Sequence, residues 1–145
     1  MAAGTVAAGP TLTAMIFRPS QTWQRRVAEQ EAAVAAGTLP RDQAYAAELW
    51  PAEATAAVDV VLTAYAQEIA GLPAVTEEAA WAAVERVVLA LNAVDEEQAV
   101  IETGEREELC EYIDAVLTES GVDVTALTAT RNLHRSELTD GWRDW

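Results

Sequence analysis

The sequence predicts an all-α fold, a compact bundle of about five helices behind a poorly structured N-terminal segment. Two central stretches carry most of that prediction. Val58, Val61, Leu62, Tyr65 and Ile69 recur at steps of three and four, and so do Trp81, Val84, Val87, Val88 and Leu91. Each set draws a core-facing stripe on a helix. The flanking residues agree. Pro51 suits a first helical turn, where its missing N–H costs nothing, and Gly71 with Leu72-Pro73 suits a stop. Thr76 suits an N-cap, with Glu77 and Glu78 in a first turn that the helix dipole favours. Size is the third observation: 145 residues fit one domain. Such a domain buries roughly 68–70% of its unfolded surface and needs no disulfide or metal staple.

In chain order, residues 1–19 read as an N-terminal tail or short extended segment and 20–145 as a single helical domain. Met1 to Pro10 offer little to pack, whereas residues 11–17 are apolar enough to lie against the body or form a short strand. Ser20 is the expected N-cap of a helix through Ala36, closed by Gly37, with a thin stripe of Trp23, Val27 and Val34. Residues 41–50 suit a short helix carrying Tyr45, Leu49 and Trp50. The Trp81 helix is expected to fray near Asn92 and Asp95. A connection over residues 95–104 then turns Val100 and Ile101 inward. Residues 101–117, IETGEREELCEYIDAVL, form the next helix, which ends at Gly121. Asp123 caps a last short helix through Leu127 toward Leu133, and a polar tail from His134 closes on Trp142-Arg143-Asp144-Trp145.

The formal net charge is −15, from 24 acidic and 9 basic side chains, and every basic side chain is an arginine. Such a charge opposes contact with phosphate backbones and anionic membranes and suits a basic protein surface. Direct nucleic-acid binding is not expected. No apolar run of about 18 residues marks a membrane span, and the first residues lack the positive start of a secretory signal, so the expected location is cytoplasmic. With one cysteine, Cys110, and one histidine, His134, an intramolecular disulfide and most zinc schemes are excluded. No cofactor is expected. Cys110 reads as a small apolar helix residue. A Gly-rich phosphate loop, a G-x-S-x-G elbow and a His-Glu-x-x-His pair are all missing.

On a helix over residues 101–117, Leu109, Ile113, Val116 and Leu117 share one face, and Glu107, Glu111 and Asp114 the opposite one. Helical carboxylate metal sites add a Glu-x-x-His step that this chain lacks. The trio therefore reads as a solvated acidic face and as the candidate contact for a basic partner. Glu102 and Arg106, four apart and toward the apolar side, form a candidate structural latch at the helix start, with Thr103 as the cap. Trp142 and Trp145 either dock back on the helices or anchor a second chain, since tryptophan buries much area and is enriched at interface hot spots. Arg131, His134 and Arg135 read as a solvated basic turn.

The segment Ile101-Glu102-Thr103-x-Glu105-Arg106-Glu107 and the closing Trp142-Arg143-x-Trp145 resemble the signature of a family of small, acidic bacterial proteins. The resemblance covers roughly the second half of the chain, from the Trp81 helix onward, and brings no activity with it. This chain departs in a longer Ala/Gly-rich start and an insertion-like stretch over residues 128–138.

Small size, acidity and missing catalytic signatures predict a non-enzymatic protein-interaction module, immunity-like or antitoxin-like. In it Glu107, Glu111 and Asp114 meet a basic partner, and Trp142 and Trp145 serve as anchors. Charge complementarity would supply steering and specificity. The alternative is a structural homo-oligomer that buries its tryptophans at a self-interface. A third reading places Glu102, Glu105 and Arg106 in an enzymatic pocket.

Overall fold

A computed structural model describes residues 16–145, so the expectations for the first fifteen residues lie outside it. The described chain is helical, with no strand among the described residues. It runs α1 (Pro19–Ala35), a 3-10 turn (Arg41–Gln43), α2 (Ala46–Leu49), α3 (Ala52–Ala70), α4 (Glu77–Gln98), α5 (Thr103–Glu119), α6 (Val124–Ala129) and a second 3-10 turn (Arg135–Glu137). No helix among the described residues is long and apolar enough to cross a membrane.

The two predicted stripes meet each other. α3 and α4 lie side by side as a helical hairpin and form the most extensive helix pair of the fold. Val58, Leu62, Tyr65 and Ile69 from α3 and Trp81, Val84, Val87, Val88 and Leu91 from α4 are all buried. Local signals set several ends. Thr76 Oγ1 accepts the Ala79 N–H at 3.1 Å, and Asp123 Oδ1 accepts that of Ala126 at 3.1 Å. Gly37 and Gly121 close α1 and α5 in the left-handed region, at φ 79° and 97°.

Three expected ends move, two of them because another group claims the side chain. Ser20 does not cap α1, which starts one residue earlier on Pro19; its hydroxyl donates to Asp59 Oδ1 at 2.7 Å. Arg18 Nη1 donates to Thr63 Oγ1 at 2.7 Å beside it, so the start of α1 is tied to α3. α4 does not fray near Asn92 and Asp95 but runs to Gln98 and ends on Ala99, left-handed at φ 51°. Asp95 Oδ1 accepts the Ile101 N–H at 2.8 Å, which turns the chain and sends Val100 and Ile101 into the core. At α5 the cap position falls on Glu102, not on Thr103.

α5 is fastened by two tryptophans. Trp23 of α1 and Trp50 at the end of α2 stack with centroids 6.1 Å apart and planes 4° apart. Trp23 Nε1–H donates to Glu108 Oε1 at 2.8 Å, and Trp50 Nε1–H to Glu105 Oε2 at 3.0 Å. Glu105 Oε1 also accepts the Glu102 N–H at 3.1 Å, as N3 of a helix often does for its cap. The two glutamates stand three apart on one face of α5, so a rigid aromatic pair meets a rigid pair of acceptors. Arg26 lies 5.6 Å from the Trp50 ring centroid. Deeper in, the Tyr65 hydroxyl donates to the Ile113 carbonyl at 2.7 Å and joins α3 to α5.

Two stability predictions follow from these contacts. Glu108→Ala leaves the fully buried Trp23 with an indole N–H that has lost its acceptor, at a cost of about 1–3 kcal/mol. Glu107→Ala, one residue away and exposed, changes stability by no more than about 0.5 kcal/mol. Urea melts of the two variants measure the contrast. Burial pushes the Tyr65 hydroxyl well above the usual tyrosine range, with the nearby Tyr112 and Asp114 adding to it. Its unfolded form ionises near pH 10 and its folded form does not, so stability held below that pH falls as pH rises through it. Tyr65→Phe removes this share of the alkaline slope in stability-against-pH curves.

Candidate functional site

An open groove of about 890 Å³ runs along the outer side of α5. Glu107, Glu111 and Asp114 line one wall, the turn at His134 and Arg135 lines the other, and Cys110 borders the space between. The helix period places the acidic residues here, since the apolar residues of α5 turn to the core on the opposite side. The second wall comes from the chain after α6, where the sequence offered no periodic signal.

The three acidic residues do not share one environment. Glu107 and Glu111 are exposed and carry no ion pair or hydrogen bond among the described residues. Asp114 departs from the expectation of a free partner contact. Arg135 grips it with two bonds, Nε to Oδ2 at 2.8 Å and Nη2 to Oδ1 at 2.7 Å, and Thr118 adds a hydroxyl at 3.0 Å. A planar guanidinium matches a carboxylate in this two-pronged way better than any other side chain. The Asp114 carboxylate holds the Arg135 guanidinium firmly in its charged form.

Cys110 and His134 border the same groove, yet each is engaged elsewhere. Cys110 Sγ lies 3.4 Å from Thr139 Oγ1. His134 Nδ1 accepts the Ser136 N–H at 3.2 Å, and the His134 backbone N–H donates to Glu137 Oε1 at 2.7 Å, which caps the 3-10 turn. No hydrogen bond joins the thiol to the imidazole, as a nucleophile and its base would require. Among the described residues no group of three or more His, Cys, Asp or Glu side chains is placed to hold a metal ion.

The expected latch of Glu102 and Arg106 is not formed as a side-chain ion pair. Glu102 is exposed at the cap position and meets Arg106 only through the backbone, its carbonyl accepting the Arg106 N–H at 2.9 Å. Fastening of this helix start falls to Glu105 and Glu108, which the sequence shows only as part of an acidic run. Both Glu105 oxygens are bonded within the fold, one to Trp50 and one to the Glu102 N–H.

The closing tryptophans also differ from free anchors. Trp142 and Trp145 are half-buried against the core. Asn92 clamps the tail: its Nδ2 donates to the Trp142 carbonyl at 2.7 Å, and its Oδ1 accepts the Asp144 N–H at 3.0 Å. Trp142 lies 6.0 Å from Trp81 at 60°, and Arg131 stands 4.0 Å from the Trp81 ring centroid. Arg143 bonds Asp140 at 2.7 Å and the Trp145 carbonyl at 2.9 Å. The expected basic turn is thus dispersed, with Arg131 on indole and Arg135 on carboxylate.

No protein-family profile, curated protein sequence or solved structure matches the chain.

Asn92→Ala removes both clamping bonds and frees the last four residues. The expected signature is faster amide exchange at residues 142–145 and a stability loss of about 1–2 kcal/mol, read by hydrogen exchange and thermal melts.

Proposed function

We propose that this chain is an acidic protein-interaction module, immunity-like or antitoxin-like, that takes a basic segment of a partner protein into the α5 groove. The observation that supports this reading is the pair Glu107 and Glu111. They stand one helical turn apart on the rim of an 890 Å³ groove and carry no intramolecular partner among the described residues. Glu105, Glu108 and Asp114 are used inside the fold, whereas these two face solvent. A net charge of −15 raises the local concentration of a cationic partner and speeds its approach. A lysine or arginine lying along the groove would meet two carboxylates on one side, while the Arg135 guanidinium on the other wall favours one register over others. Asp114 contributes by holding Arg135 in that wall.

The double variant Glu107→Lys/Glu111→Lys tests the reading. A partner co-purified with the parent chain from its native host is expected to lose at least about ten-fold in affinity toward the variant by calorimetry. Its association rate with the parent should also fall as salt rises. An unchanged affinity would remove the groove from the account.

A further inference from the structure

We infer that the outer face of the α3–α4 hairpin is a self-association surface, and that its occupant is a second copy of this chain related by a two-fold axis. The face shares no residue with the α5 groove. Val60 and Leu89 are 69% and 47% exposed, high values for large apolar side chains. A shallow depression between the helices is bordered by Val60, Ala64, Arg86 and Ala90, and a second one by Ala93, Glu96 and Glu97. Ala90 and Ala93 thus form a low saddle with Val60 and Leu89 near it.

The ends of this saddle name the occupant. Arg86, Ala90, Ala93 and Glu97 fall at steps of four, three and four on α4, one continuous line along its outer side. Arg86 and Glu97 stand eleven residues apart, about 16 Å along the axis, with opposite charges. A two-fold axis crossing the line midway between Ala90 and Ala93 lays a second α4 antiparallel on the first. Ala90 of each copy then meets Ala93 of the other, and Arg86 of each meets Glu97 of the other. Such a patch is complementary to itself, the condition an isologous contact must satisfy. Small residues at the crossing let the helices approach closely, as ridge-and-groove packing requires.

Charge explains why copies would meet here. Two chains of −15 repel one another over most of their surface. This face has no charge between Arg86 and Glu97 along its central line, and the crossing sets each Arg86 between its own Glu68 and the Glu96–Glu97 end of the other copy. Arg86 already bonds Glu68 through Nε and Nη2, which leaves Nη1 without a hydrogen bond among the described residues and able to reach across.

Light scattering and sedimentation of the full chain, up to about 200 µM, test the inference. The expected result is a reversible dimer. Val60→Glu and Arg86→Glu are each expected to weaken it by about ten-fold or more while thermal melts stay near those of the parent, both positions being exposed. The exchange Arg86→Glu/Glu97→Arg restores the end-to-end attraction and should recover most of the loss. Glu107→Lys/Glu111→Lys should dimerise as the parent does. A chain monomeric throughout this range, a dimer indifferent to Val60→Glu, or an exchange variant no tighter than Arg86→Glu would each overturn the inference.

Discussion

The fold depends on a pair of indoles meeting a pair of carboxylates. Trp23 and Trp50 come from segments far apart in the chain, and their stacked rings bring two N–H groups to bear on one face of α5. Burying an indole is favourable only when its N–H finds an acceptor, and a charged acceptor makes the bond stronger. Glu105 and Glu108 supply those acceptors, and Glu105 orders the start of α5 as well. Without this junction α1 and α2 would lose the directional indole–carboxylate bonds that set their register against α5. The same junction sets the rotation of α5 about its own axis. With Glu105 and Glu108 turned toward the tryptophans, Glu107 and Glu111 turn outward. The groove therefore follows from the latch.

A second aromatic cluster does similar work at the other end. Trp81 of α4 carries Arg131 on its face and Trp142 at its side, so one indole gathers the chain after α6 and the closing tail. Asn92 offers both halves of its amide to the tail backbone, a use that needs donor and acceptor on one side chain. This second wall of the groove would not stand without that anchoring, because α6 and the 3-10 turn after it are too short to be stable alone.

What the sequence could show divides along a physical line. Features with local causes were legible: the stripes of α3 and α4, the caps at Thr76 and Asp123, the stops at Gly37 and Gly121. Each rests on residues within a turn or two of one another. Features with distant causes were not. Ser20 looks like a cap until Asp59, 39 residues away, takes its hydroxyl. Asp95 looks like a fraying helix end, although the Ile101 N–H that claims it stands only six residues on. Within the acidic run of α5 the seven-residue span from Glu105 to Glu111 holds half-buried acceptors and free rim groups, and only the position of the tryptophans separates them. Glu102 and Arg106 had the right spacing for an ion pair, but spacing permits a bond and does not compel it. Arg131 and Arg135 looked like one basic turn because their partners, an indole and Asp114, lie outside their neighbourhood in sequence.

Charge binds the two surfaces of the molecule into one electrostatic argument. A basic segment approaching the α5 groove is drawn by the whole field of the chain, an attraction that screening weakens. Two copies meeting at α4 are pushed apart by that same field, a repulsion that screening also weakens. Added salt should therefore act with opposite sign on the two contacts, loosening the partner and tightening the pair of copies. The inferred Arg86–Glu97 attractions across the two-fold would act at contact distance and be screened less than repulsion spread over the whole surface. A pair of copies would also present two acidic grooves and a stronger field to a basic partner. Self-association and partner capture would then support each other, because a bound basic partner would neutralise part of the acidity that keeps two copies apart.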